Sequence, residues 1–229
     1  MEYNAEMEPI FVPHRDRYRP AGAAEDAARA CYEVLRQRRS VRQFSDEPVS
    51  RATIEWIVRA ASSAPSGANK QPWRFVAVGD PALKHAIRAA AQATEREFYQ
   101  SRASARWLLD LAPFGTDEDK PYLEVAPWLI VVFRLVRGDD GGQVYYSEES
   151  VGIAVGMLLA AAQYAGLATL THTPSPMGFL GQLLGRPAHE RAYMLIPVGY
   201  PAADCQVPAH ALERRPLEET LVFDRPVGG

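Results

Sequence analysis

The chain has 229 residues, long enough for one domain with a substantial core. A net charge of −3 excludes a general attraction to nucleic acid, and no Lys/Arg block points to a membrane surface. The two cysteines, Cys31 and Cys205, form no CxxC pair, which argues against a disulfide framework or a zinc site; either could be a free buried thiol, the default for such a residue. Met1 to Pro20 lacks the apolar stretch of a signal peptide, so a reducing, cytoplasmic setting is expected.

Residues 1–23 read as an extended arm with no core of its own. Ala28, Cys31, Val34 and Leu35 recur at helical spacing and predict a helix from about Glu25 to Gln37. Ser45 to Pro48 reads as a turn. Ser50 then caps a helix from Arg51 to about Ser62, with Ile54, Ile57 and Val58 inward. The breakers in Ala64 to Pro72 predict a loop, Trp73 to Val78 a strand, and Pro81 to about Thr94 a helix. The stretch from about 91 to 122 has a poor core pattern and suits a mobile lid. Pro127 to Arg134 reads as a buried strand, and Gly138 to Gly142 as a turn. The apolar run from Val151 to Leu170 has the length of a membrane span. Gln163, the many Ala and Gly, a start capped at Ser147 with Glu148 and Glu149, and a stop at Gly166 predict a buried central helix instead. Its small residues (Gly152, Ala154, Gly156, Ala160, Ala161) suit close packing in a core or a dimer seam. A short strand at Ala168 to Thr171, a short helix at Phe179 to Leu184 and a strand at Ala192 to Tyr200 follow, with Pro197 marking the last as an edge strand or a bulge. Residues 201–229 are Pro-rich, like an arm that wraps a partner. Helices between a few strands imply α+β or α/β.

Four groups of residues offer chemistry. Glu95 and Tyr99 stand four apart and leave one face of a helix. With Lys120 they supply an anion for an ammonium, and a cation and a phenol for a carboxylate, which is a receptor for an amino-acid zwitterion. A surface pair and a solvated lysine have the same spacing, but the chain has only three lysines among 25 basic residues, so Lys120 is an unusual choice. Arg38, Arg39, Ser40 and Arg42 crowd three guanidinium groups and a hydroxyl into one segment, suited to phosphate, and Arg214 and Arg215 could add to them; a solvated basic face reads the same way. The backbone of Pro65 to Ala68 and the Ser66 hydroxyl could approach a flat ring. Thr169, Thr171 and Thr173 share a face if the strand persists. No GxGxxG or GxxxxGK[ST] is present, so neither a dinucleotide fingerprint nor a P-loop is indicated, and a mononucleotide cofactor held by side chains stays open.

In this order, the segments Arg38–Arg42, Ala64–Ala68, Tyr122–Pro127, Val144–Ser150, Thr171–Pro174, Leu184–Glu190, Leu195–Pro201 and Arg214–Leu217 resemble the nitroreductase superfamily. With the Glu95, Tyr99 and Lys120 set, they resemble most closely the iodotyrosine deiodinases. The similarity runs from about Glu33 to Val222. The resemblance implies an α+β fold with a mostly antiparallel central sheet surrounded by helices. It also implies a domain-swapped homodimer with N- and C-terminal arms (the second from about 201) and two FMN sites at the subunit interface. On that resemblance Arg38, Arg39, Ser40, Arg42 and Arg214 hold FMN, and Ser66 and Gly67 also touch it. Thr171 and Thr173 lie beside its ring, the Thr173 hydroxyl reaching N5. Ala68 N–H meets the phenolic oxygen of the substrate, and Glu95, Tyr99 and Lys120 grip its zwitterion and close the lid.

The implied reaction is reductive removal of halide from 3-iodotyrosine and other halotyrosines, with electrons passing singly from FMN. An external electron donor is needed, and no pyridine-nucleotide motif identifies it. Unlike animal members, the chain is expected to be without an N-terminal membrane anchor. It carries His172 between the two threonines where a Thr is common, and packing is the role expected for it. His189 is expected to serve a turn. The alternatives are a general NAD(P)H-dependent nitroreductase or quinone reductase, which would not use Glu95, and a flavin- or amino-acid-binding protein without turnover.

Overall fold

A computed structural model describes residues 8–224. The expected arms therefore extend at 1–7 and 225–229 outside the described residues. The chain divides into two units, one ending at Arg36 and one beginning at Gln37. In the first, the described residues before Ala24 hold no helix or strand, and Ile10, Phe11 and Val12 are exposed. Helix α1 (Ala24–Leu35) buries none of its residues.

The second unit is built on a four-stranded antiparallel sheet in the order β1-β2-β4-β3. The strands are β1 (Trp73–Val78), β2 (Trp128–Leu135), β3 (Ala168–Thr169) and β4 (Glu190–Gly199). Helices cover both faces, so β2 must be apolar on each. Leu129, Val131 and Phe133 join one buried cluster, while Ile130 and Val132 join the other. The first face is packed by α3 (Pro81–Glu97), α5 (Tyr122–Val125) and α7 (Gly178–Leu183), through Ile87, Leu123 and Leu180. The second is packed by α2 (Arg51–Ser62) and α6 (Ser147–Tyr164), through Ile54, Ile57, Val151 and Leu158. Full burial of such a side chain contributes about 1.5–3 kcal/mol, so this two-sided core fixes the sheet that carries the site.

Several local readings hold. Ser50 Oγ accepts from Thr53 N at 3.1 Å and starts α2. The end of α6 is a Schellman turn: Leu167 N donates to Ala162 O at 2.9 Å, Gly166 N donates to Gln163 O at 3.1 Å, and Gly166 has φ +74°. Among the described residues no helix is long and apolar enough to cross a membrane.

Others need correction. Ser147 is not the cap of α6 but its first helical residue; Tyr146, at φ +47°, precedes it, and the Ser147 hydroxyl accepts from Arg134. Residues 45–48 form no turn, although Ser45 Oγ accepts from Glu47 N. Pro197 does not mark an edge, since β4 lies between β2 and β3. Its carbonyl faces the β3 side, where it accepts from Leu170 N at 3.4 Å. The missing N–H falls on that same side, beyond the two-residue ladder of β3, and so interrupts nothing longer. The bulge in β4 is at Tyr193, opposite the step between Val132 and Phe133. Both thiols are free, but Cys31 is exposed and Cys205 only half-buried, so neither is a core residue.

A Cβ at Gly166 would meet nothing within 4 Å, so its substitution is purely a conformational penalty. Gly166→Ala is expected to lower stability by about 1 kcal/mol in urea denaturation without altering ligand binding.

Candidate active site

Two distant segments meet at β3. Ser40 bridges Thr169 in parallel, and Val41 N donates to Thr169 O at 3.1 Å. This lays the arginine-rich segment 38–42 along the strand that runs on to Thr171 and Thr173. Arg38 is half-buried, and its pKa is lowered first by burial and then by Arg214 and Arg39. The C-terminal Arg214 is thus brought within electrostatic reach of the N-terminal pair. An anion placed among three guanidinium groups relieves both their repulsion and the desolvation, which is the demand a phosphate group fits.

Beside this cluster lies a pocket of about 520 Å³. Arg42, Glu95, Tyr99, Lys120, Thr171 and Thr173 all line it. Helix α3 supplies Glu95. A π-helical turn at Phe98–Arg102 carries Tyr99, so the expected single face survives a change of helix type. The Lys120 ammonium is buried, 3.6 Å from the Glu95 carboxylate and 5.7 Å from the Tyr99 ring centroid. It also donates to Asp117 O. Tyr99 donates to Thr116 Oγ1 at 3.0 Å, and burial raises its pKa above the usual phenol value. Glu95 and Lys120 neutralise each other, and Thr116 takes the Tyr99 hydroxyl. A zwitterion can enter by exchange, its ammonium replacing Lys120 at Glu95 and its carboxylate taking Lys120 and Tyr99.

The Lys120 segment is fastened to α3 by contacts that sequence spacing did not reveal. Arg88 donates to Asp119 at 2.8 Å and to Glu124 at 2.7 Å, and Arg96 pairs with Glu118 at 3.3 Å. Lys84, itself buried, donates to the carbonyls of Glu124 at 2.8 Å and Ala126 at 2.9 Å. Bonds from Arg88 and His85 hold the Glu124 carboxyl below its ordinary pKa. Between these anchors, α4 (Ala105–Leu111) adds Trp107 and Leu111 to the pocket wall, with Trp107 edge-on to Phe98 at 4.9 Å.

Ser66, Gly67 and Ala68 do not line this pocket. Their loop is tightly built: Ala68 has φ +49°, and Ser66 Oγ accepts from Gln71 N at 2.9 Å. A Cβ on Gly67 would come 2.9 Å from Tyr145 O, so only glycine fits. Asp139, His189 and Glu190 also cluster, but Arg74 bonds both carboxylates and Arg186 bonds Glu190 again, so these acids are already spent on an ion-pair network.

His172, expected only to pack, has a less ordinary setting. It lines the pocket, is 7% exposed, and its Nε2 is buried without a hydrogen-bond partner. Burial, then Lys120 and Arg42, push its pKa down to about 3. The folded state therefore refuses a proton that the unfolded chain accepts below pH ~6.5. Its contribution to stability is complete above that pH and is lost as pH falls toward 3. Wild-type stability should drop across this window, His172 supplying at most about 1.4 kcal/mol per pH unit. His172→Gln should flatten that slope in denaturation measured from pH 7 to 4.

Comparison with known proteins agrees with this geometry. The model of the nitroreductase family matches residues 35–200. An iodotyrosine deiodinase from Haliscomenobacter hydrossis is 51% identical over 207 residues, covering 88% of this chain and 93% of that protein. Iodotyrosine deiodinase 1 of Homo sapiens is 44% identical, covering 92% of this chain and 74% of its own length. Among solved structures, oxidized iodotyrosine deiodinase bound to FMN and 3-iodo-L-tyrosine superposes with a TM-score of 0.73 at 31% identity, over 86% of this chain and all of that one. The chain belongs to the nitroreductase family and, within it, to the iodotyrosine deiodinases.

Proposed function

We propose that this chain is an FMN-dependent deiodinase that converts 3-iodotyrosine and related halotyrosines to tyrosine and halide. The observation that carries the reading is the convergence of Glu95, Tyr99 and Lys120 on one pocket whose wall also holds Arg42, Thr171 and Thr173. The carbon–iodine bond breaks, iodide leaves with the bonding pair, and a proton takes its place on the ring carbon. Each turnover so consumes two electrons and one proton. Bound FMN supplies the electrons one at a time, renewed by an external donor.

The residues then have separable tasks. Arg38, Arg39 and Arg214 receive the FMN phosphate, as the lowered pKa of Arg38 supports. Ser40 and Arg42 follow along the ribityl chain, with Thr171 and Thr173 beside the ring. Glu95 takes the substrate ammonium, while Tyr99 and Lys120 take its carboxylate. These bonds are made far from the reacting carbon, and they order segment 91–122 as a lid over it and exclude water. Ala68 N–H, with Ser66 and Gly67, comes from a second copy of the chain and meets the phenolic oxygen and the flavin. Three observations support a homodimer: the absence of this loop from the pocket, the exposed Ile153 and Tyr164 on α6, and the exposed Leu221 and Phe223 in the C-terminal arm. Two unpaired thiols suit a cytoplasmic setting.

Anaerobically reduced holoprotein should reoxidise on adding 3-iodotyrosine and release one iodide per FMN; a protein that binds but stays reduced would overturn the assignment. Glu95→Gln should weaken 3-iodotyrosine binding by on the order of 100-fold, the value of a desolvated charge-assisted bond, and leave nitroarene turnover nearly unchanged. Equal losses in both would instead favour a general nitroreductase. Arg38→Gln should lower FMN retention on dialysis, with the fold intact by circular dichroism.

A further inference from the structure

We propose that Tyr122 and His172 form a positioning pair that couples the occupied amino-acid clamp to the threonine strand on the cofactor side. The inference rests on the deiodinase reading but concerns residues to which that reading gives no role. Tyr122 follows Lys120 across a single proline, and both side chains are buried, so movement of one is carried to the other. Its ring stands edge-on to His172, at 85° with centroids 5.8 Å apart. Its hydroxyl is 3.5 Å from His172 Nδ1, the outer limit of a hydrogen bond. The contact is therefore loosely made while the clamp is paired with itself.

The other end of the coupling is the segment 170–173. His172 exchanges both backbone bonds with Leu195, each 2.9 Å. Two residues earlier the ladder is weakened, because Leu170 N reaches Pro197 O at only 3.4 Å and Pro197 has no N–H to return. Thr171 and Thr173 are thus carried on either side of one firm attachment, the residue whose ring meets Tyr122. A buried, unpartnered Nε2 costs about 1–3 kcal/mol. Such a group is expected to be retained where its ring does something besides fill space. When a zwitterion draws Lys120 off Glu95, Tyr122 moves with it, and its bond to His172 tightens and fixes the rotation of the threonine segment.

The test uses holoprotein and two readouts, 3-iodotyrosine affinity from flavin fluorescence and amide exchange of the 168–173 peptide with and without 3-iodotyrosine. In the wild type, ligand should slow exchange of that peptide by about fivefold or more. Tyr122→Phe and His172→Leu should keep affinity within about threefold yet lose that protection. His172→Asn, whose amide can replace Nδ1, should restore it. Glu95→Gln should lose affinity and protection together. Full protection in Tyr122→Phe and His172→Leu, with affinity retained, overturns the coupling and leaves the deiodinase reading intact. So does a loss of affinity in proportion to protection. Failure of the wild type to bind 3-iodotyrosine overturns the functional reading itself.

Discussion

A buried ammonium needs an anion, and the site is organised around that need. Lys120 is nearly sequestered from solvent, where an isolated charge would cost several kcal/mol. Glu95 supplies the counter-charge, the Tyr99 ring and Asp117 O complete its surroundings, and Glu95 is itself sheltered. An exposed pair of this kind would be worth little. Inside the pocket the pairing matters more, and it must be replaced in kind by whatever enters. A neutral aromatic offers no exchange for it, whereas a free amino acid offers both charges at the spacing of one carbon. On the proposed function, the selectivity of the site starts from the electrostatics of the Glu95–Lys120 pair.

That pair in turn requires its two segments to stay together. Glu95 belongs to α3, fixed on the sheet through Ile87 and Ala91. Lys120 lies in an acidic stretch that self-repulsion would push away. Arg88, Arg96 and Lys84 bind it back to α3, and Leu123 inserts α5 into the same core. Positive charge on one helix therefore does structural work for the clamp.

The fold was legible where local signals and packing agree. The limits of β1, the capped start of α2 and the Gly166 stop of α6 are each dictated by residues within a few positions of one another. Pro197 misled because the rule against a central proline counts hydrogen bonds the neighbouring strand would make, and β3 is too short to make them. Ser147 misled because it lies inside the helix as its first residue, with its hydroxyl taken by Arg134 from the neighbouring strand. In the site, the clamp trio and the arginine cluster were visible from residue type, and the structure brings the trio to one pocket and Arg214 within electrostatic reach of Arg38. The Arg88 network was not, because its partners lie 31 and 36 residues away and ordinary surface charges look the same. His172 packs as expected, but its electrostatic setting was not legible for a related reason: a histidine between threonines says nothing about which charges will face it.

Its surroundings explain why a histidine is compatible with this place at all. A protonated imidazole would add a third cation beside Lys120 and Arg42. Burial keeps the ring neutral, so it brings polarity without charge. A threonine here would keep a hydroxyl but could not span the distance to the Tyr122 ring, and an aliphatic residue would leave the Tyr122 hydroxyl facing a dry wall. The imidazole reaches the phenol from a segment that, beyond the two residues of β3, is firmly held at one residue. The polar back wall of the pocket and the pivot of the threonine segment are therefore the same side chain.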